Sequence, residues 1–591
     1  MNEIDLLSIK SPADIRKMNL QELTQLAAEM RAALLKKLSA HGGHIGPNLG
    51  MVEAVIALHY VFDTPEDKII FDVSHQTYPH KMITGRMEAF VDPAHYDDVS
   101  GYTNPRESEY DLYSLGHTSS AVALAAGMAK ARDLKGGKEN VVAVIGDGSL
   151  SGGVAFEGLD YGATLGTNFI VVVNDNQMSI AENHGGIYAD LRLLRNSNGM
   201  AEPNLFRAMG YGYRYVGYGN DLNSLIKMFR SVKDIDHPVV VHINTLKGMG
   251  LPVAEVNKEE FHYAGPFDLK TGTPLEEENP VGAPEDYSDL FANNMLRRMH
   301  DDPSIVAITA GTPGVLGFDK ARRREAGHQF IDVGIAEQSA VDVASGLAKG
   351  GARPVVGVVS SFLQRAFDQF SQDIALNRQP ATFVVFYGTM FGMNDETHLG
   401  FFDIALLSNI PGLLYLAPTC KEEFEAMLDW SIRQDKQPVV VRVPGSTAVS
   451  NPEVKILDDY SRPEYDVVRR GKDVALIGEG LMFGIMSQAA DLLAKEGIDV
   501  TLINPRNLST LDTATLDTLK DYSLVVTAED GILDGGYGQK VASYLGEDPV
   551  KVVNLGLPKE FLNRYNYSEL QKRCGLTPEQ IASTVKENAG K

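Results

Sequence analysis

Two apolar runs, Val141-Val142-Ala143-Val144-Ile145 and Phe169-Ile170-Val171-Val172-Val173, constrain this chain more than any other feature. Each is continuous rather than alternating, which reads as a strand covered on both faces, as in a parallel sheet. The first run ends in Gly146-Asp147-Gly148 and the second in Asn174-Asp175-Asn176-Gln177-Met178. Gly146 and Gly148 let the backbone turn tightly and bring its N–H groups close to a ligand. Ser151-Gly152-Gly153 then opens a helix whose N-terminus suits a phosphate anion. Asp147 and Asn176 thus face one crevice with the hard oxygens that Mg²⁺ takes when it also binds a diphosphate. Taken alone, Gly-Asp-Gly also reads as an ordinary strand-to-helix turn with a solvated aspartate. The Asn at the tip of the very next strand argues against that.

The rest of the chain bounds the setting. At 591 residues it exceeds what one core supports, so two to four domains are expected. Its net charge of −24 repels nucleic acid and anionic membranes, so positive charge must be concentrated inside a ligand site. No apolar run approaches 18 residues, and Met1-Asn2-Glu3-Ile4-Asp5 lacks the features of a signal peptide. Cys420 and Cys574 are too few and too far apart for a disulfide framework or a thiolate metal site. These features point to the cytoplasm.

Strand and helix patterns recur in three segments. The first ends in a proline-, glycine- and acid-rich stretch from Gly265-Pro266 to Asp286; the second runs from Ile305-Val306-Ala307-Ile308 to Val443. A polar stretch from Gly445-Ser446 to Pro463 precedes a third, which starts at Asp473-Val474-Ala475-Leu476-Ile477. Each reads as an open parallel sheet covered by helices, with ligands expected at the carboxyl ends of the strands. The fold class is therefore α/β, with three doubly wound, mainly parallel-sheet domains at 1–285, 286–455 and 456–591.

In the second segment Asp332-Val333-Gly334-Ile335-Ala336-Glu337-Gln338 is a strand end running into a helix. Glu337 in a first turn is often no more than a helix-dipole partner. Phe362, in Ser360-Ser361-Phe362-Leu363-Gln364-Arg365, reads equally as a core aromatic or as a flat ring available for stacking.

Longer matches decide between such readings. They comprise Gly43-His44-Ile45-Gly46-Pro47-Asn48, Asp72-Val73-Ser74-His75-Gln76-Thr77-Tyr78-Pro79-His80-Lys81 with Thr84-Gly85-Arg86, and Glu107-Ser108-Glu109-Tyr110-Asp111 with Gly116-His117-Thr118-Ser119-Ser120. With Gly-Asp-Gly…Asn, Gly334-Ile335-Ala336-Glu337-Gln338, Phe362-Leu363-Gln364-Arg365 and Thr397-His398-Leu399-Gly400, they span nearly the whole chain. In them the chain resembles the 1-deoxy-D-xylulose-5-phosphate synthase family, the pyruvate-using branch of the transketolase superfamily.

The resemblance implies a transketolase-like fold that binds thiamine diphosphate and Mg²⁺. It assigns Asp147, Asn176 and the Met178 carbonyl to the metal. His75, His117, Ser119, Gly146, Gly148, Ser149 and Lys247 fall to the diphosphate side. Glu337 would be the buried carboxyl group that activates the aminopyrimidine, with Phe362 stacked on that ring; burial favours its protonated, donating form. His44, His75 and His398 would face the reacting carbons, where imidazole exchanges protons near neutral pH. His59 and His80 are not assigned from identity alone, since some of the 14 histidines serve only packing or surface. The implied reaction decarboxylates pyruvate and ligates the two-carbon unit to an aldehyde, D-glyceraldehyde 3-phosphate in the family at large. The implied assembly is a homodimer, with no nucleic-acid or membrane partner.

Departures from the family pattern concern the acceptor. Phe386-Tyr387-Gly388-Thr389 stands where the family has Asp-Arg-Ala-Gly, and Val443-Pro444-Gly445-Ser446 where it has Tyr-Pro-Arg-Gly. Arginines expected to grip the acceptor's phosphate are thus missing at Tyr387 and Gly445; Arg365 and Arg442 remain as potential substitutes, and Arg365 is a candidate catalytic residue. Asn394-Asp395 replaces Asp-Gly, Ser339 replaces His, and the loop from Asn183 to Arg207 is shorter than the resemblance leads one to expect. The third segment, with Ile477-Gly478-Glu479-Gly480 and Ala528-Glu529-Asp530-Gly531, reads as structural and dimer-supporting. Three functions compete: a pyruvate-using carboligase with this or another acceptor aldehyde, a transketolase with a ketose phosphate donor, and a non-catalytic regulatory homologue.

Overall fold

The computed structural model describes residues 4–275, 285–445 and 447–589. The expected linker therefore falls partly, at 276–284, outside the described residues, as does Ser446.

Val141 to Val144 illustrates how the first sheet forms. Val142 and Val144 pack into one apolar cluster with Leu34, Leu49 and Phe229, while Val141, Ala143 and Ile145 pack into another with Ala125 and Leu159. A strand with side chains buried on both faces has no use for polar alternation, which is why the sequence run is continuous. Strands β1 (Lys68–Phe71), β2 (Val141–Gly146), β3 (Phe169–Asp175), β4 (Gly212–Val216) and β5 (Pro238–Asn244) form a parallel sheet in the order β1-β2-β3-β5-β4. Gly146 of β2 is in register with Asn174 of β3, so the loops after these strands leave the same edge side by side.

The second sheet holds β6 (Ile305–Thr309), β7 (Phe330–Asp332), β8 (Arg353–Val359), β9 (Thr382–Phe386), β10 (Leu414–Leu416) and β11 (Val439–Arg442), in the order β10-β11-β9-β8-β6-β7. All its pairings are parallel. The third holds β12 (Asp466–Arg469), β13 (Val474–Gly478), β14 (Thr501–Asn504), β15 (Leu524–Ile532) and β16 (Lys551–Leu557), in the order β12-β14-β13-β15-β16. Here the sequence reading needs correction: the segment begins before Asp473, with β12 antiparallel to β14. β12 is a half-exposed edge strand carrying Asp466 and Arg469, so it has no apolar run to betray it.

By contacts the chain divides into two compact units. The first is Met1–Gly282 with 334–336; the second holds the other two sheets, whose apolar residues join in one cluster through Phe383, Val385, Ala475 and Ile503. Among the described residues no helix is long and apolar enough to cross a membrane.

Within the first unit, His59 and His80 belong to a buried polar chain. His59 Nδ1 lies 2.8 Å from Thr64 Oγ1, His59 Nε2 2.8 Å from His80 Nδ1, and His80 Nε2 2.8 Å from Asp111 Oδ1. Arg86 adds a two-pronged contact to Asp111 at 2.7 and 2.8 Å, and the Asn104 N–H donates to it at 2.8 Å. Burial opposes the Asp111 charge, but Arg86 and His80 outweigh it and hold the carboxyl well below its usual range. Thus anionic Asp111 accepts from the His80 Nε2–H, His80 Nδ1 accepts from His59 Nε2–H, and His59 Nδ1 accepts from the Thr64 hydroxyl. Replacing Asp111 by Ala leaves the buried Arg86 guanidinium, among the described residues, with only the 3.3 Å contact to Glu107 as an ion pair, and we expect a loss of about 3 kcal/mol, seen as a lower urea midpoint. A wild-type midpoint would contradict this account.

Candidate active site

Side chains at the carboxyl edge of the first sheet gather the candidates of the first unit. Asp147 follows β2, is 1 % exposed, and its N–H donates to Asn174 O at 3.0 Å. Its Oδ2 accepts from Asn183 Nδ2 at 2.7 Å and its Oδ1 from the Asn176 N–H at 3.4 Å. Asn176 Oδ1 accepts from the Met178 N–H at 3.2 Å, and Met178 bridges to Glu182, which turns the loop back so that Asn183 reaches Asp147. Burial first, and the Asp175 charge second, push the Asp147 carboxyl up to about 7. Asp175 offers no relief, because it is engaged by His242 at 2.9 Å and by Arg195. Arg195 lies on the helix Ile187–Asn196, which occupies the short 183–207 segment.

This donor set fits a divalent cation. Asp147 is a buried acid short of positive charge, and Asn183 Oδ1 is buried without a hydrogen-bond partner among the described residues. Asn183 was not singled out in the sequence, where nothing but its position seven residues beyond Asn176 points to it.

The loop carrying Ser119, expected to take the diphosphate, is shaped by Asp72, whose two oxygens accept from the Ser119 N–H at 2.7 Å and the Ala121 N–H at 3.0 Å. That contact caps the helix Ala121–Lys135 and holds Ser119 at a left-handed φ of 75°, with Ser119 Oγ donating to Ser149 O at 2.8 Å. A Cβ on Gly152 would lie 2.7 Å from Ser119 Cβ, and one on Gly148 2.9 Å from Ser179 Cβ, so both glycines are required by close approach. After a 3₁₀ turn at Gly148–Ser151, the expected helix runs over Gly153–Ala163. Val73 and Ser74 after β1 and Gln177 after β3 also have positive φ, so backbone strain gathers along this edge.

Lys247 is fully buried, donating to Ser179 O at 2.6 Å and lying 3.0 Å from His262 Nδ1; burial pulls its ammonium down to about 7. His44 and His75 meet edge to face at 5.1 Å between ring centroids, and His262 lies 5.1 Å from His75 and 5.8 Å from His44. Buried Asn48 fixes the first two through bonds of 2.7 and 2.8 Å to their carbonyls. The sequence reading missed His262, although Phe261-His262-Tyr263 is a conspicuous aromatic triplet. Burial, with Lys247 nearby, holds His262 well below its usual range and therefore neutral. His117 is half-buried on the loop leading to Ser119, and His80 stands apart in the relay.

The second unit carries the other candidates. Glu337 opens the helix Glu337–Lys349, is 4 % exposed, and faces apolar walls that include Ala310, Val341, Val356 and Phe370. Burial raises its pKa, and Arg365, 3.4 Å away, partly offsets this. Phe362 stands edge-on to His398 at 5.5 Å. Thr397 Oγ1 donates to Asp395 at 2.6 Å and so accepts from His398 Nδ1 at 2.8 Å, which leaves His398 Nε2 as the basic nitrogen. Burial and then Arg365 bring His398 down to about 4.

Arg442 corrects an expectation. It is 4 % exposed and committed to Asp403 at 2.7 Å, Glu479 at 3.2 Å and Asp530, so it is not a spare phosphate ligand. Tyr387 and Gly445 turn out to be one linked change: any side chain at 445 would run into the Tyr387 ring.

Comparison with known proteins defines the class first. Residues 284–448 match the transketolase pyrimidine binding domain and 464–581 the transketolase C-terminal domain. Residues 6–203 match the 1-deoxy-D-xylulose-5-phosphate synthase model. A synthase of that name from Symbiobacterium thermophilum is 38% identical over 616 aligned positions, covering 98% of this chain and 94% of the relative. One from Heliobacterium modesticaldum is 36% identical, covering 99% and 95%. A solved transketolase from Pichia stipitis aligns at 15% identity over 95% of this chain and 97% of its own, with a TM-score of 0.46. The chain belongs to the 1-deoxy-D-xylulose-5-phosphate synthase family.

Two outcomes follow from the geometry. Gly152→Ala should weaken thiamine diphosphate binding in the presence of Mg²⁺ by about tenfold or more, measured by calorimetry; unchanged affinity would count against the cradle. Arg365→Met removes a cation beside His398, so the acid limb of kcat/KM should move to higher pH from near 4.

Proposed function

We propose that this chain is a thiamine diphosphate- and Mg²⁺-dependent transferase of the transketolase type that decarboxylates pyruvate and ligates the two-carbon unit to an aldehyde. D-glyceraldehyde 3-phosphate is the acceptor that family membership favours. The observation that carries this reading is Glu337, a carboxyl group shut behind apolar walls, where a helix-dipole partner would have no reason to be. When bound, the cofactor supplies the electron sink that releases carbon dioxide.

The chain's own residues do the rest. Asp147, Asn176 and the Met178 carbonyl would hold Mg²⁺, with Asn183 as a further oxygen donor close by. Gly146, Gly148, Ser149, Ser119 and His117 would receive the diphosphate, whose charge Lys247 offsets. Glu337 holds a proton for a ring nitrogen, and Phe362 offers its face to that ring. His398 accepts and returns a proton at Nε2, and His44, His75 and His262 line the side of the reacting carbons, each such transfer contributing typically about 10²–10⁴-fold. Arg365 tunes Glu337 and His398 together. The division into diphosphate-binding (1–285), pyrimidine-binding (286–455) and C-terminal (456–591) domains, a homodimer, and a cytoplasmic setting complete the proposal.

A second acceptor is favoured by one specific arrangement. Tyr387 fills the space at Gly445, and Arg442 is locked among carboxylates. Two missing charge-assisted bonds would be worth about 3–6 kcal/mol, or roughly 10²–10⁴ in acceptor recognition. Steady-state kinetics with pyruvate and either glyceraldehyde 3-phosphate or unphosphorylated aldehydes, with products identified by mass spectrometry, decide the acceptor. Carbon dioxide release separates this enzyme from a transketolase. Glu337→Ala should abolish turnover; full activity in that variant would refute the role given to Glu337.

A further inference from the structure

His398 lies on an irregular loop, 387–402, between β9 and the helix Asp403–Leu407, and the third sheet's segment holds much of that loop. The Tyr565 hydroxyl donates to Met390 O at 2.8 Å and approaches Met393 O at 3.4 Å; the Tyr567 hydroxyl donates to Gly392 O at 2.6 Å. Asn394 Nδ2 donates to Tyr565 O at 3.0 Å, and the Arg564 N–H donates to Asn394 O at 2.7 Å. Thr389 Oγ1 donates to buried Asp530, and the Ile532 N–H donates to Phe401 O at 3.1 Å. A loop of this kind has no strand ladder to satisfy its carbonyls, so side-chain donors must do so. Two residues show that the arrangement is imposed rather than relaxed. Tyr387 at one end of the loop has a φ of 60°, and Arg564 at the clamp has a φ of 48°, conformations that persist only where surroundings enforce them. Burial raises the Tyr565 phenol well above its usual pKa, so it stays a donor throughout the working range.

We propose that Tyr565 and Tyr567 are positioning residues for the acceptor step: their hydroxyls hold loop 387–398 in the form that presents His398 and the Tyr387 ring. The third segment is then part of the machinery rather than scaffolding. This inference rests on the reading that His398 faces the reacting carbons.

Tyr565→Phe, Tyr567→Phe and the double variant keep both rings, including the 6.1 Å contact of Tyr567 with Phe391, and delete only the donors. Hydrogen–deuterium exchange of peptides covering 387–402 should quicken by about tenfold in the double variant, the equivalent of ~1.4 kcal/mol. KM for the aldehyde should rise about five- to tenfold, with KM for pyruvate and cofactor affinity held within about twofold. Tyr544→Phe, which removes a surface bond to Asp517 in the same segment, serves as the control and should change neither. Wild-type exchange in the double variant overturns the proposal, as does a faster loop with an unchanged aldehyde KM. A wild-type enzyme that joins pyruvate to no aldehyde defeats the functional reading and the positioning role with it, whatever the exchange shows.

Discussion

Asp147 has its charge buried at the end of two hydrogen-bonded parallel strands, and that charge can be compensated only from the sheet edge. Asp175 is already paired with His242 and Arg195, Asn176 and Asn183 are neutral, and Lys247 offsets the Asp147 charge less than burial and Asp175 oppose it. A site of this kind is unfavourable when empty of positive charge and favourable when a cation arrives with an anion of its own. The packing of β2 and β3, the glycines that close up against Ser119 and Ser179, and the capping of the helix Ala121–Lys135 by Asp72 all serve to keep that edge in place. The hydrophobic framework thus supplies the stability that the polar edge spends.

Much of this was legible in the sequence because it is local. Continuous valine runs name buried parallel strands, and Gly148 and Gly152 name turns that other chain segments approach closely. What was not legible depends on partners distant in the chain. Arg442 looked available until Asp403, Glu479 and Asp530 were found around it, from three separate elements. Tyr387 and Gly445 looked like two independent losses, yet the Tyr387 ring occupies the space a side chain at 445, 58 positions further on, would need. His262 was passed over because a histidine between two aromatics reads as packing until Lys247 and His75 appear beside it. β12 escaped because an edge strand needs no apolar signature.

Arginine 442 also explains why the second and third sheets lie in one unit. Its guanidinium joins β11, the helix that begins at Asp403, the turn before the helix Gly480–Lys495, and β15. Burial, with Asp530 nearby, raises Glu479 well above the usual range despite Arg442. The Thr389 hydroxyl, donating to Asp530, ties the loop carrying His398 to the sheet that follows it.

The Thr64–His59–His80–Asp111 chain has a further consequence, thermodynamic rather than catalytic. Burial holds both imidazoles below their ordinary value of 6.5, while the unfolded chain lets them take up protons as usual. Acidification therefore rewards unfolding: the contribution is complete above pH 6.5 and drains away as the pH falls toward the folded values. Souring the medium below pH 6.5 would therefore loosen the first unit from within its core.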